Sequence, residues 1–389
     1  MMTHVRQGST ILLIAALVII ASSSPARATP IFAQRYGFKC SVCHTVIPEL
    51  NSFGQNFRRA GFYIPNAPRK GYFPLMLRFQ ESWVKDLLPS QTRRFNALAI
   101  LVSTANFGKD QSLSYYARYF FGSQGAPGSL YYAYVQHVQQ NNGSFERIGE
   151  FNLPLIQNAT QRLDTLTPQE AYTYTVGHNN ANFTTPRWGV QLGQRTDRVD
   201  VEAVASFDEY HGAAYGVPAP PSDLNQTFAG PEVFATANVQ VVPGLTAGAL
   251  GMTGTRNFQS RVSGASFTDH YERQGVELAW ESPHVWLYAQ QLWGRDDNPD
   301  GFNQVTGSSG GFVTLKYYPI PHAYVGIRYD AVANPFVTRD FVYYLAFAPT
   351  MHARFVIEQF QPIGPGFANT SAQILIALPF EGRNAKGPK

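Results

Sequence analysis

The sequence has few charged residues and almost no long apolar run. Charged residues make up 14% of the 389 positions, and the formal net charge is only +4. So weak a positive balance gives no indication of nucleic acid as a partner. The longest apolar run, residues 11–21, is far shorter than the roughly 20 residues that a membrane-spanning helix needs. Transmembrane helices are therefore excluded.

That apolar run belongs to an export signal. Arg6 precedes it, and residues 26–28 have the small-residue pattern of a signal-peptidase site. Residues 1–28 are therefore predicted to be a signal peptide, and the mature chain is predicted to start near Thr29. Loss of Arg6 and Arg27 leaves a formal net charge of +2.

Cysteine is scarce as well, because Cys40 and Cys43 are the only two. Export permits a disulfide, but a bridge between cysteines three apart would close only a small ring. A structural zinc site needs four ligands, and no histidine lies between His44 and His137. A thioredoxin-like pair would need a βαβ context, which the following residues lack. None of these three interpretations fits the pair well.

Covalent haem attachment fits better. In "KCSVCH", residues 39–44, two cysteines three apart precede a histidine, the pattern of c-type haem attachment. The thiols of Cys40 and Cys43 would add to the two vinyl groups, and the His44 imidazole would ligate the iron. The sequence therefore predicts one covalent haem c. Met76, the only methionine near this segment, is the candidate for the other iron ligand, and a lumen-facing histidine such as His137, or an open position, is the alternative.

A short helix is predicted after the motif. Leu50, Phe53 and Phe57 share one face at helical spacing, and Pro48 and Gly61 mark the expected ends. The apolar stripe could cover a porphyrin edge or pack on a neighbouring domain.

The rest of the chain alternates between polar and apolar residues. Tyr and Phe number 49, and about sixteen segments of roughly ten residues lie between Tyr72 and Phe380. In residues 198–208, for example, Val199 and Val201 lie on one face and Asp200 and Glu202 on the other. Aromatic-rich, exported strands with one polar and one apolar face are typical of barrels in outer-membrane lipid. We predict an all-β transmembrane barrel of about 16 antiparallel strands over residues 72–389.

The connections alternate in length. Short turns such as residues 141–143, 196–197 and 243–244 follow every second segment, and longer polar connections follow the others. Outer-membrane barrels have short periplasmic turns and longer external loops, so both chain ends are expected on the periplasmic side. Residues 29–71 are too few to enclose a haem alone. We expect this segment on the periplasmic side or in the barrel lumen.

Two connections have a special character. The longest, residues 153–184, is too long for an ordinary hairpin loop and is either a constriction folded into the lumen or an external loop. The connection "GRDDNPDG" contains Asp296, Asp297 and Asp300. These carboxylates are either hard oxygen ligands for Fe(II) entry or part of a hydrophilic loop.

The segment "RYGFKCSVCHTVIPELNSFGQNFRRAGF", residues 35–62, resembles the N-terminal part of fused outer-membrane cytochrome-porins of iron-oxidising and other metal-respiring bacteria. In that family a small monohaem cytochrome precedes a barrel of about this strand number. The resemblance implies electron transfer across the outer membrane. The implied partners are an extracellular donor, such as Fe(II), and a periplasmic electron carrier.

Three functions follow as hypotheses. In the first, haem carries electrons from the extracellular donor inward, which makes the protein a candidate Fe(II) oxidase. In the second, the barrel is a passive porin or ligand transporter whose haem segment is a structural plug. The third, a haem enzyme such as a peroxidase, lacks a further catalytic constellation in the sequence.

Overall fold

The computed structural model describes residues 31–46, 49–64, 73–86, 93–108, 110–121, 128–139, 141–156, 165–209, 223–334, 336–350, 352–364, 366 and 368–379. The predicted signal peptide, residues 1–28, lies outside the described residues. Most of the described chain forms β-strands. They are β1 Leu75–Asp86, β2 Arg93–Phe107, β3 Leu113–Phe120, β4 Ser129–Val138, β5 Ser144–Phe151, β6 Arg187–Arg195, β7 Val199–Glu209, β8 Leu224–Phe228, β9 Glu232–Val242, β10 Leu245–Ser260, β11 Ser266–Glu281, β12 Val285–Asp296, β13 Thr306–Ile320, β14 Ala323–Asn334, β15 Phe336–Thr350, β16 Ala353–Pro362 and β17 Asn369–Pro379.

The strands form one closed antiparallel barrel. Neighbouring strands pair along the chain from β1 to β7 and again from β9 to β17, β7 pairs with β9, and β1 closes the ring by pairing with both β2 and β17. Strands β8 and β9 both pair with β10, one after the other along its length. They occupy one position in the ring, interrupted at residues 229–231, so the barrel has sixteen strand positions. The predicted fold class and strand number are confirmed.

The two faces of the barrel wall follow the alternation in the sequence. In β7 the side chains of Val199 and Val201 are exposed on the outside, whereas Asp200 and Glu202 are buried on the inside. The same holds in β16, where Ile357 is exposed and Glu358 is buried. Apolar side chains therefore face lipid and polar ones face the lumen, the arrangement of an outer-membrane barrel.

Loop lengths also agree with the prediction. The connections at residues 196–198, 243–244 and 321–322 are short turns, and they lie at one end of the barrel. We call this end the short-turn mouth. The other end has the longer connections, except that a single residue separates β14 from β15. Among the described residues, no helix has both the length and the apolar character that a membrane span requires.

In the part of the chain that the structure describes, three short helices precede or interrupt the barrel. They are α1 Ile31–Tyr36, α2 Ser52–Arg59 and α3 Glu170–Thr173, and a 3-10 turn spans Cys40–Val42. Helix α2 begins later than expected because Asn51 is its N-cap, accepting a hydrogen bond from the backbone N–H of Gly54 at 2.9 Å. Leu50 was placed on this helix, which is wrong, since it pairs with His44 in an isolated β-bridge. The predicted helix start, Pro48, lies outside the described residues.

Candidate functional site

The N-terminal segment, residues 31–64, has its own small apolar core. Phe32 stacks on Phe62 with 4.5 Å between ring centroids, and both Phe32 and Tyr36 meet the edge of Phe57 at 5.0 and 5.7 Å. Phe57, Phe62 and Tyr36 are buried. Such edge-to-face and stacked pairs stabilise a small domain beyond the area that they bury. We call residues 31–64 the plug, for the position described next.

The plug lies inside the short-turn mouth. The carboxylate of Asp200 on β7 accepts a hydrogen bond from Arg59 at 2.8 Å, and the carbonyl of Arg59 accepts one from Gln136 on β4 at 2.6 Å. Further contacts reach other parts of the ring, namely Arg35 to Asn106 on β2, Phe62 to Tyr116 on β3, Ser52 to Glu281 on β11 and Glu49 to Lys316 on β13. These partners lie on strands all around the barrel, so the plug spans its opening.

The cysteine–histidine motif forms the turn that leads into α2. The backbone N–H of Asn51 donates to the carbonyl of Cys43 at 3.0 Å, and the Asn51 side chain donates to the carbonyl of Val42 at 3.1 Å. Gly54 packs so close to this turn that a Cβ there would overlap the carbonyl oxygen of Cys43. Asn51 and Gly54 therefore hold the motif against the helix. Cys40 begins the 3-10 turn.

His44 is oriented by a backbone carbonyl. Its Nδ1 lies 3.1 Å from the carbonyl oxygen of Glu49. Because a carbonyl can only accept, Nδ1 must carry the proton, which leaves Nε2 with the lone pair that a metal needs. The Glu49 carboxylate also pairs with buried Lys316, whose ammonium nitrogen lies 3.6 Å from the centre of the Trp286 ring. Glu49 thus connects the His44 turn to β13.

The other candidate iron ligands lie elsewhere. Met76 is on the inner face of β1, opposite buried Val102 of β2, whereas the His44 turn is connected to β13. Among the described residues, no three His, Cys, Asp or Glu side chains form a metal-binding group. Ligation of iron by Met76 stays a prediction.

The lumen-facing placement of His137 was wrong. Its neighbours Gln136 and Val138 are the buried inner residues of β4, and its ring pairs with exposed Glu146 at 2.8 Å.

The acidic connection after β12 is used structurally. The Asp296 carboxylate is buried and accepts hydrogen bonds from Arg273 at 2.8 Å and from Asn179 at 3.1 Å. Asp297 pairs with Arg295 at 3.0 Å. With their charges balanced by arginines, Asp296 and Asp297 do not form the open oxygen cluster that an Fe(II) entry site requires.

The longest connection folds into the lumen, which confirms the constriction alternative. We call residues 152–186 the inner loop, and it is described at 152–156 and 165–186. Leu153, Leu155, Tyr172 and Phe183 are buried in the main apolar cluster with inner-wall residues such as Phe312. The Tyr172 hydroxyl lies 3.0 Å from that of Tyr288 on β12.

Buried charges on the wall bind the inner loop as well. Arg328 donates to the hydroxyl of Thr165 at 2.6 Å and to the carbonyl of Pro168 at 2.9 Å, and it also donates to the carboxylate of Asp330 at 2.6 Å. The Glu358 carboxylate accepts from the backbone N–H of Thr167 at 2.7 Å. The sequence alone could not show that these charged residues bind the inner loop.

A cavity of about 800 Å³ remains at the short-turn mouth between the plug and the wall. The polar face of α2 lines one side of it, with Ser52, Gln55 and Arg59, and Trp286 lines the wall side. The plug therefore leaves room beside it for water or a small solute. The lumen itself is narrowed by two segments, the plug and the inner loop.

Comparison with protein-family models gave no match, and neither did comparison with curated proteins. Solved structures share the fold. The outer-membrane channel DcaP of Acinetobacter baumannii superposes with a TM-score of 0.54 at 10% identity, covering 82% of this chain and all of that one. Salmonella typhi OmpF, solved with daunomycin, gives 0.53 at 9% identity over 78% of this chain and 97% of its own. The anion-selective porin from Comamonas acidovorans gives 0.53 at 10% identity over 80% of this chain and all of that one. The chain therefore has an outer-membrane porin fold, which agrees with the predicted localisation in the bacterial outer membrane.

Proposed function

We propose that the protein is a porin-type channel whose short-turn mouth is closed by its own plug. The observation that carries this proposal is the set of plug contacts on β2, β3, β4, β7, β11 and β13. A barrel of sixteen strands is wide enough for an aqueous channel, so an insertion at the mouth decides what passes. Solute passage then depends on displacement of the plug or on the cavity beside it.

A second function, electron transfer, is favoured by the turn at residues 40–44. This turn supplies the two cysteines and the histidine of a haem c site, and the carbonyl of Glu49 places the proton of the neutral His44 ring on Nδ1. Val42 and Phe53 lie at this turn, and both side chains are exposed. Neither residue belongs to a strand, so contact with lipid does not explain their exposure. Apolar side chains exposed beside an attachment motif fit a porphyrin that would cover them. The residues at this turn therefore fit a covalently attached haem c.

In this second function, the chain's own residues attach, orient and shield the cofactor. Cys40 and Cys43 would hold haem c by two thioether bonds, and His44 would be an iron ligand through Nε2. When bound, haem c supplies a one-electron carrier at this mouth. Asn51 and Gly54 keep the turn rigid against α2, and Glu49 keeps the imidazole oriented. Electrons would come from an extracellular donor such as Fe(II) and go to a periplasmic carrier, as the resemblance to cytochrome-porins implies.

Liposomes separate the two functions. The purified protein is inserted into vesicles that contain either a trapped electron acceptor or a trapped small solute, and an external reductant such as Fe(II) is added. Reduction of the acceptor without solute leakage supports electron transfer, whereas solute flux without reduction supports the channel alone. The matched control is Cys40→Ala/Cys43→Ala, which should retain the barrel and lose haem staining on a denaturing gel. Normal covalent haem in that double variant would disprove the assigned attachment site.

A further inference from the structure

The arginines of the lumen fall into two groups. On the wall that contacts the inner loop, buried arginines have carboxylate partners, such as Arg187 with Glu232 at 2.6 Å and Arg273 with Asp296 at 2.8 Å. Among the residues that the structure describes, the inner-face arginines Arg78 of β1 and Arg118 of β3 have no carboxylate partner. Within the described part of the chain, the Nε atoms of Arg78 on β1 and Arg118 on β3 are buried without a hydrogen-bond acceptor.

Arg78 and Arg118 lie close together on the inner face. Arg118 pairs with Val102, which pairs with Met76, two residues before Arg78. Across the sheet, the two arginines are thus separated by two strand spacings, about 10 Å. Along the strand direction they are offset by about two residues. Long side chains bridge such a gap, so the like charges of Arg78 and Arg118 repel each other. Arg354 of β16 is buried on the other side of β1 and donates to the Tyr324 hydroxyl at 3.1 Å.

The plug contributes a further guanidinium near Arg118. Arg58 of α2 lies 5.6 Å from the centre of the Tyr116 ring, and that ring lies 6.4 Å from the ring of Tyr132. Arg118 lies 5.8 Å from the centre of the same Tyr132 ring. Arg58 and Arg118 therefore flank one pair of tyrosines, Arg58 from the plug and Arg118 from the wall.

The tyrosines stabilise these cations only in part. An aromatic ring attracts a guanidinium through its face, whereas the N–H groups lie in the guanidinium plane and need acceptors. The ion pairs of the described residues do not include Arg58, Arg78 or Arg118. The positive charge of Arg118 is buried without a negative partner among the residues described, which is costly, and a bound anion removes that cost. The planar fork of arginine suits an oxyanion best.

We propose that Arg58, Arg78 and Arg118 form an oxyanion-binding site between the plug and the lumen wall, with Arg354 adding positive charge. The ligand class is a small oxygen anion such as phosphate or a carboxylate. A haem on the plug would itself bring carboxylates, so the occupant is either a free oxyanion or those groups. In both cases the anion connects the plug to β1 and β3 and strengthens closure of the mouth.

Calorimetric titration of the full-length protein in detergent with inorganic phosphate tests the site. Saturable binding is expected, and Arg78→Gln, Arg118→Gln and Arg58→Gln should each weaken it about tenfold or more, because each removes a charge-assisted hydrogen bond. The control is Arg295→Gln, an exposed arginine on the long-loop side, which should leave the affinity unchanged. Unchanged affinity in Arg118→Gln would overturn the proposal.

The haem-free variant Cys40→Ala/Cys43→Ala separates the two sources of the anion. Phosphate binding in both forms supports a free oxyanion, and binding in the haem-free form alone supports haem carboxylates as the usual occupant. Binding in neither form overturns the proposal. If a glutamine variant does not assemble, as judged by its heat-modifiable migration on a gel, Arg118→Lys replaces it. Lysine keeps the charge but loses the fork, so weaker binding is expected, and an affinity equal to that of the unaltered chain overturns the proposal.

Discussion

The plug and the inner loop both lie inside the barrel, but they are held there by different contacts. The plug has a small apolar core of its own, with Phe57 at its centre. It meets the wall through polar contacts such as Arg59 with Asp200 and through the buried side chain of Val46, which packs in an apolar cluster of the wall. The described part of the inner loop contains one helix, of four residues, and its apolar side chains are part of the main cluster of the barrel. The inner loop therefore shares the core of the barrel, whereas the plug also has a core of its own, and we expect the plug to unfold separately from the wall.

The largest effect is expected where a buried charge binds the inner loop. Arg328→Ala removes the donor to Thr165 and Pro168 and leaves Asp330 buried without its partner. Loss of one member of a buried pair costs about 3–5 kcal/mol. Urea unfolding of the detergent-solubilised barrel, followed by tryptophan fluorescence, measures this cost. Exposed Arg295→Ala should change the free energy of unfolding by less than about 0.5 kcal/mol, and equal effects at both positions would refute the role of Arg328.

A charge on the lipid face should destabilise the barrel somewhat less. Val313 is exposed on the outside of β13, in the middle of the strand. Val313→Arg should cost about 2–4 kcal/mol near the bilayer midplane, and Val313→Leu should cost little because it stays apolar. Folding titrations in lipid vesicles give both values. A tolerated arginine at this position would contradict the assignment of the outer face.

The plug core should unfold without the barrel. Phe57→Ala removes a buried aromatic ring, a change that costs about 3–5 kcal/mol in a packed core, but the loss is confined to residues 31–64. Limited proteolysis should therefore cut the plug, while the unfolding free energy of the barrel changes by less than about 1 kcal/mol. A fall in barrel stability as large as that of Arg328→Ala would show that the plug and the wall are one cooperative unit.

The smallest effect is expected at a single docking contact. Asp200 keeps Arg195 as a second partner at 2.8 Å, so Arg59→Ala should change the free energy of plug docking by only about 1 kcal/mol. Faster hydrogen exchange in α2, with unchanged exchange in β7, is the expected result. Complete release of the plug would mean that this ion pair dominates docking.

The barrel could be predicted from the sequence because each wall residue faces one of two solvents. Alternation such as Val199 and Asp200 directly reports the lipid and lumen sides, so strand number and faces were confirmed. The face predicted for His137 was wrong. Its ring lies on the outer face, where it pairs with Glu146 on the neighbouring strand, and a lone polar residue with such a partner does not reveal its face. The interruption between β8 and β9 leaves no clear trace in the periodicity.

The contents of the lumen were less predictable. The haem motif is local and could be identified from six residues. The contacts of the plug and the inner loop join residues more than a hundred positions apart, such as Glu49 with Lys316 and Thr165 with Arg328. Pairing of this kind depends on three-dimensional packing, which a single sequence does not encode in its periodicity.

Single-channel recording in planar bilayers tests the closed mouth most directly. The intact protein is compared with a variant that lacks residues 33–68 but keeps the leader and the mature start. If the plug closes the short-turn mouth, the intact protein should conduct poorly and the deletion variant should form open, ion-permeable channels. Large, steady conductance in the intact protein, unchanged by the deletion, would show that the plug does not close the short-turn mouth.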